Sequence, residues 1–199
     1  MSAPKSVLAA LVVWFLLVLL GSLFGVFAFE ILHAPIPLGV AASLPVVVFL
    51  GWYWGSPTLQ QFAFSLDLRK LTLVHTLRLT GVIFVLLYLR RLLPGVFALP
   101  AGLGDMAFGM TAPLVASILK GRSRFPARIF AVWNVLGILD MVLAVSLGVL
   151  ASLPVGPFSG AITTQQMAHF PLSLVPAFLV PLFLILHLIA LIRVYRGVY

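Results

Sequence analysis

Two charged residues lie well inside apolar stretches: Arg78 in LTLVHTLRLTGVIFVLLYL and Asp140 in RIFAVWNVLGILDMVLAVSLGVLAS. A guanidinium and a carboxylate can dock through charge-assisted hydrogen bonds, each relieving the other's charge. In a bilayer either group alone costs several kcal/mol, so such residues mark a pathway or a site. Three further polar residues, His75, Asn134 and His187, stand in the same or a later apolar stretch. Arginine suits an anionic or carboxylate-bearing solute or lipid, whereas Asp140 and His187 could carry protons.

These groups must be positioned by helices in a membrane. The chain of 199 residues is 63% hydrophobic and 8% charged, against roughly 45–50% and about 25% in soluble domains. No soluble fold of this size hides that much apolar surface, and there is no polar stretch long enough for a second domain. We expect one transmembrane domain over residues 1–199, an all-α bundle. The lack of cysteine excludes disulfides, thiolate metal sites and iron–sulfur ligation.

A span needs about 20 mostly apolar residues. Six stretches qualify, at about 6–29, 36–55, 71–93, 104–119, 128–152 and 171–194. The first exceeds the roughly 7–15 apolar residues of a signal-peptide core and is expected to be a retained helix. Six spans put both termini on one side. With the termini inside, that side carries Lys5, Arg69, Lys70, Lys120, Arg122, Arg124, Arg128, Arg193 and Arg196, and the other only Arg90 and Arg91. The positive-inside rule then places both termini in the cytoplasm. It also explains the net charge of +8 without a nucleic-acid partner. The run KGRSRFPAR could touch anionic headgroups, although its simplest role is to set topology.

Depth follows from a rise of about 1.5 Å per residue. Arg78, Asn134 and His187 fall at similar depth from the cytoplasmic side, His75 one turn shallower and Asp140 deeper. His75 and Arg78, at i and i+3, share a helix face. One polar cluster in the cytoplasmic half is the economical arrangement, with Asp140 the natural partner of Arg78. Arg78 could instead lift its head to the interface. Asp140 is too short for that and must be paired, hydrated or protonated. Gly137, Asp140, Ala144 and Gly148 recur at three-to-four spacing, which turns Asp140 toward a neighbouring helix.

The segment SPTLQQFAFSLDLRK reads as an interfacial amphipathic helix. The connection LPGVFALPAGLGD, dense in proline and glycine, reads as irregular chain packed at the outer interface. The fourth span after it is then short and rich in small residues, a feature of transporter sites and equally of tight packing. Asp105 is expected to cap that helix. Glu30, His33 and His169 fall in outer loops or at span ends, and Pro176 and Pro181 should kink the last span.

Three functions fit. The first is a binder or transporter of a small anionic or lipid-like ligand, using Arg78, Asp140, Asn134, His187, His75 and Asp105. The second is a b-type haem cytochrome in which His75 with His187, and His33 with His169, ligate two haems. The third is an accessory subunit, in a homo-oligomer or beside a partner membrane chain. Enzyme activity is disfavoured, because the chain has no HExxH, GxSxG or Walker motif and no paired-carboxylate signature.

The stretches FALPAGLGDMAFGMTAPLVA, WNVLGILDMVLAV and VPAFLVPLFLILHLIAL resemble a family of small bacterial membrane proteins of about six spans with no established activity. The resemblance covers roughly the C-terminal two-thirds, from about Arg78. It implies a helical bundle in the bacterial inner membrane, includes Asp105, Asn134, Asp140 and His187, and implies no mechanism.

Overall fold

The computed structural model describes residues 5–28, 36–119, 124–153, 155–158 and 160–197. Among them there are helices and turns and no strand. Helix α1 is Lys5–Leu23, α2 Ile36–Gly55, α3 Pro57–Ser65, α4 Leu68–Leu89, α5 Gly95–Ile118, α6 Arg124–Leu150 and α7 Val175–Tyr195. All but α3 are long and apolar enough to cross a membrane. In a medium without water each backbone group must be satisfied internally, and the helix is the local solution.

One compact unit draws on Met1–Ser65 and Gly148–Leu182. Its core is Val18 of α1, Phe27, Ala168 and Ala177, with Trp14 and Phe178 packed alongside at a ring distance of 4.6 Å. The Ser22 and Ser173 hydroxyls hydrogen-bond inside it, and the Thr164 hydroxyl donates to the Gly148 carbonyl at 2.6 Å. The amphipathic segment forms α3, burying Leu59 and Ala63, and Gln60 Nε2 donates to the Tyr53 carbonyl at 2.9 Å to hold α3 to α2. Where proline was expected to kink the last span, Val175–Leu179 forms a widened π turn. Such turns absorb the hydrogen bonding that a proline interrupts.

The second unit draws on Leu66–Leu147 and Phe183–Tyr199. Asp67 starts α4: its carboxylate accepts the backbone N–H of Arg69 at 2.8 Å and of Lys70 at 3.4 Å. Arg193 of α7 donates to the Leu66 carbonyl at the same end. At the other end of α4 the chain reverses through Arg91, in left-handed conformation at φ 57°. Pro94, extended, then leads directly into α5.

The helix α5 corrects the sequence reading. Residues 95–103 are helical, and the span has 24 residues instead of a short run from Gly104. Pro94 stands just before the helix, where a missing N–H costs nothing. Pro100 and Pro113 lie inside it, which a membrane helix tolerates. The glycines serve close approach. A Cβ on Gly81 of α4 would stand 3.0 Å from the Gly102 carbonyl, and one on Gly102 would stand 2.8 Å from the Gly81 carbonyl. The two helices therefore meet backbone to backbone.

Candidate functional site

The middle of α4 is a 3₁₀ run, His75–Gly81. A 3₁₀ helix has three residues per turn, so side chains three apart eclipse one another. His75, Arg78 and Gly81 accordingly share one buried face, and Thr72 and Phe84 continue the spacing as buried residues in the flanking α-helical turns. This face presents Arg78 to α5 and α6.

Arg78 has no exposed side-chain surface. Its Nε donates to Asp105 Oδ1 at 2.7 Å, and its Nη2 donates to Asp140 Oδ2. The Nε–Nη2 edge is where a single carboxylate usually docks with both oxygens; here two carboxylates divide it. The guanidinium carbon lies 4.5 Å from the centre of the Phe108 ring, a cation–π contact. The carboxylates are less enclosed than the cation they hold, with side chains 20% exposed for Asp105 and 16% for Asp140. Asp140 reaches Arg78 across α5 because Gly104 leaves room: a Cβ there would collide with the Asp140 carboxylate.

A second layer is built from histidines. His187 Nε2 lies 3.5 Å from Arg78 Nη1, and His187 Nδ1 lies 2.8 Å from Asn134 Oδ1. Arginine only donates, so Nε2 accepts and Nδ1 carries the proton, donating to the asparagine oxygen. The Asn134 amide nitrogen in turn donates to the Phe130 carbonyl at 2.8 Å, which fixes the amide orientation. The His75 ring stacks on His187 at 4.1 Å between centroids and 25° between planes. Trp133 closes the side, 5.4 Å from each imidazole, and donates its N–H to the Thr111 hydroxyl at 3.0 Å. His75 Nδ1 is buried without a hydrogen-bond partner.

Arg78, Asp140, Asn134, His187, His75 and Asp105 are thus gathered in one unit of the molecule. The expected pairing of Arg78 with Asp140 is present. The expected role of Asp105 is not: α5 begins ten residues earlier at Gly95, so Asp105 lies about 15 Å along the helix and pairs with Arg78 instead of capping. Pro94 as a helix-start signal could have revealed this. Phe108, Trp133 and Thr111 were missed, because nothing in an apolar helix distinguishes an aromatic that covers a cation from one that faces lipid.

His75 and His187 do not fit the haem alternative. Two axial imidazoles must flank an iron on opposite sides of a porphyrin, whereas His75 and His187 lie ring on ring at 4.1 Å with no gap for one. Both His187 nitrogens also face other partners, Asn134 and Arg78. His169 is exposed at the end of the 3₁₀ turn Gln165–Ala168; Glu30 and His33 lie outside the described residues. Among the described residues no three His, Asp or Glu side chains converge as a metal site.

A family model, Domain of unknown function (DUF8737), matches residues 35–195. The chain belongs to this family. The DUF8737 region takes in every residue of the Arg78 network and leaves α1 outside. No curated protein and no solved structure matches the chain.

Proposed function

We propose that this chain is a small carrier of the bacterial inner membrane, with both termini cytoplasmic, that binds a small anionic or lipid-like ligand at Arg78 and exchanges a proton as it does so. The observation that supports this is the divided edge of Arg78, held by Asp105 Oδ1 at 2.7 Å and by Asp140. A ligand carboxylate or phosphate fits that edge with two oxygens, displacing one or both aspartates.

Charge balance gives the coupling. One guanidinium and two carboxylates sum to −1, so one bound proton makes the empty site neutral. An anion docked on Arg78 with both aspartates protonated is neutral again. One proton therefore enters with each monovalent anion. The partial exposure of both carboxylates offers ligand and proton a way in, while the buried guanidinium supplies the affinity. The nine cations on the terminal side against two on the other support the orientation.

The test is uptake by liposomes holding the purified chain and an entrapped pH dye. Small monocarboxylates and phosphate esters are added outside in turn. An effective anion should acidify the lumen. The triple variant Arg78→Gln, Asp105→Asn, Asp140→Asn removes all three charges at similar volume, so it should fold and carry nothing. Acidification that persists in the triple variant, or no acidification by any anion, sinks the reading.

A second reading rests on the zero exposure of the Arg78 side chain. A cation so enclosed can be a fastening between helices, and the chain then an accessory subunit in a homo-oligomer or beside a partner chain. Native mass spectrometry of the chain extracted from its own membrane decides it. A partner retained with intact Arg78 and lost in the triple variant would favour that role.

A further inference from the structure

One face of α6 carries a shallow apolar hollow of about 380 Å3, lined by Arg128, Ile129, Val132, Trp133 and Leu136. Those positions form one stripe of a helix, about 12 Å long. Ile129, Val132 and Leu136 are 38%, 58% and 51% exposed, and Arg128 stands exposed at the end of the stripe. From Leu119 to Ile138 the chain carries no acidic residue. The floor is the Trp133 indole, only 9% exposed, which also lies against His75, His187 and Phe108 of the buried network.

We propose that this hollow is a binding site for one anionic phospholipid, with an acyl chain along Ile129, Val132 and Leu136 and its phosphate on the Arg128 guanidinium. On a membrane-spanning helix the apolar part faces acyl chains, and its length is close to the roughly 15 Å hydrocarbon depth of one leaflet. Arg128 sets the class of headgroup: a guanidinium at the end of the stripe attracts a net negative charge, while the ammonium of a zwitterionic lipid would stand against it. The seated chain touches Trp133, whose indole lies 5.4 Å from each of the two imidazoles. This inference rests on the membrane setting and not on ion exchange at Arg78.

The indole makes the test direct. A full-length variant keeping Trp133 as its single tryptophan (Trp14→Phe, Trp52→Phe, Trp54→Phe) is placed in vesicles containing brominated phosphatidylglycerol or brominated phosphatidylcholine at equal fraction. Quenching by the anionic lipid should be at least twofold stronger. Arg128→Gln should make the two lipids equal while quenching itself persists. Should the triple-Phe chain not fold, native mass spectrometry of the wild-type chain from an equimolar mixture of the two lipids gives the same reading: phosphatidylglycerol retained several-fold over phosphatidylcholine, and equally in Arg128→Gln. Equal quenching and retention in the wild type would show an unselective annulus and overturn the proposal. So would selectivity that survives Arg128→Gln, or an indole that neither lipid reaches because protein covers the face.

Discussion

The imidazole of His187 lies where a side chain on Gly137 would stand: a Cβ there would collide with Cε1 and Nε2 and come within 3.2 Å of Cδ2. The ring cannot slide away, because Asn134 holds its Nδ1–H at 2.8 Å and His75 stacks on it at 4.1 Å. Gly137→Ala should therefore overpack this contact and destabilise by about 1–3 kcal/mol. Gly51→Ala is the control, since nothing lies within 4 Å of its added Cβ. Alanine there should be neutral or stabilise by about 0.5–1 kcal/mol through helix propensity. Melting temperatures of both variants in one detergent check the pair, and a Gly137→Ala chain as stable as Gly51→Ala would contradict the packing.

The two carboxylates on Arg78 should not be equivalent to one strong ion pair. Arg78→Gln leaves both Asp105 and Asp140 without their cation and should destabilise by about 3–5 kcal/mol, the range for removing one partner of a buried pair. Asp105→Asn or Asp140→Asn alone should cost less, because the guanidinium keeps one carboxylate and the asparagine oxygen can still accept its hydrogen bond. Adding both asparagines to Arg78→Gln should recover much of the loss. An unfolding series in denaturing detergent, read as a mutant cycle, checks the sign of this coupling. Simple additivity would mean that the three groups do not act as a unit.

A fixed tautomer follows from the chain Arg78–His187–Asn134. His187 should carry its proton on Nδ1, with Nε2 facing the guanidinium, and ring nitrogen shifts in a ¹⁵N-histidine sample should show it. Asn134→Leu removes the acceptor and leaves a buried N–H unpaired, for a loss of about 1–3 kcal/mol. The Nδ1–H signal should then disappear or move, with little change at exposed His169. A His187 protonated on Nε2 in the wild type would overturn the assignment.

The sequence made the membrane spans and the outline of the polar cluster legible for a plain reason. A charge in a run of Leu, Val and Phe is conspicuous, and helical rise converts position into depth. Arg78, Asp140, Asn134, His187 and His75 could all be placed together on that basis. Asp105 reads as a helix cap instead, because Pro100 and the glycines around it look like chain breakers. In the folded protein those glycines let α5 touch α4 and let the Asp140 carboxylate pass Gly104. Small residues carry both meanings, and only the neighbouring helix decides between them. The stacking of His75 on His187 was equally hidden, since shared depth does not tell which rings face each other.

The 3₁₀ run gives the last prediction. Thr72, His75, Arg78, Gly81 and Phe84 are all buried, each three residues from the next. In a regular α-helix each step of three falls about 60° short of a full turn, so such a row would wind away from α5. The tighter turn from His75 to Gly81 holds it on one face, and Gly81 closes the row against α5. A Cβ at Gly81 would stand 2.5 Å from the Asp105 Cβ and 3.0 Å from the Gly102 carbonyl. Neither can yield as a flexible side-chain end would, so Gly81→Ala must move α4 from α5 and separate Arg78 from Asp105. The loss should exceed about 2 kcal/mol, toward the upper end for overpacking. Because the ion pair is already broken, adding Asp105→Asn should then cost almost nothing more, although Asp105→Asn alone is destabilising. That non-additivity is the measurement. If Asp105→Asn costs the same with and without Gly81→Ala, the close approach of α4 and α5 is not what holds Arg78 to Asp105.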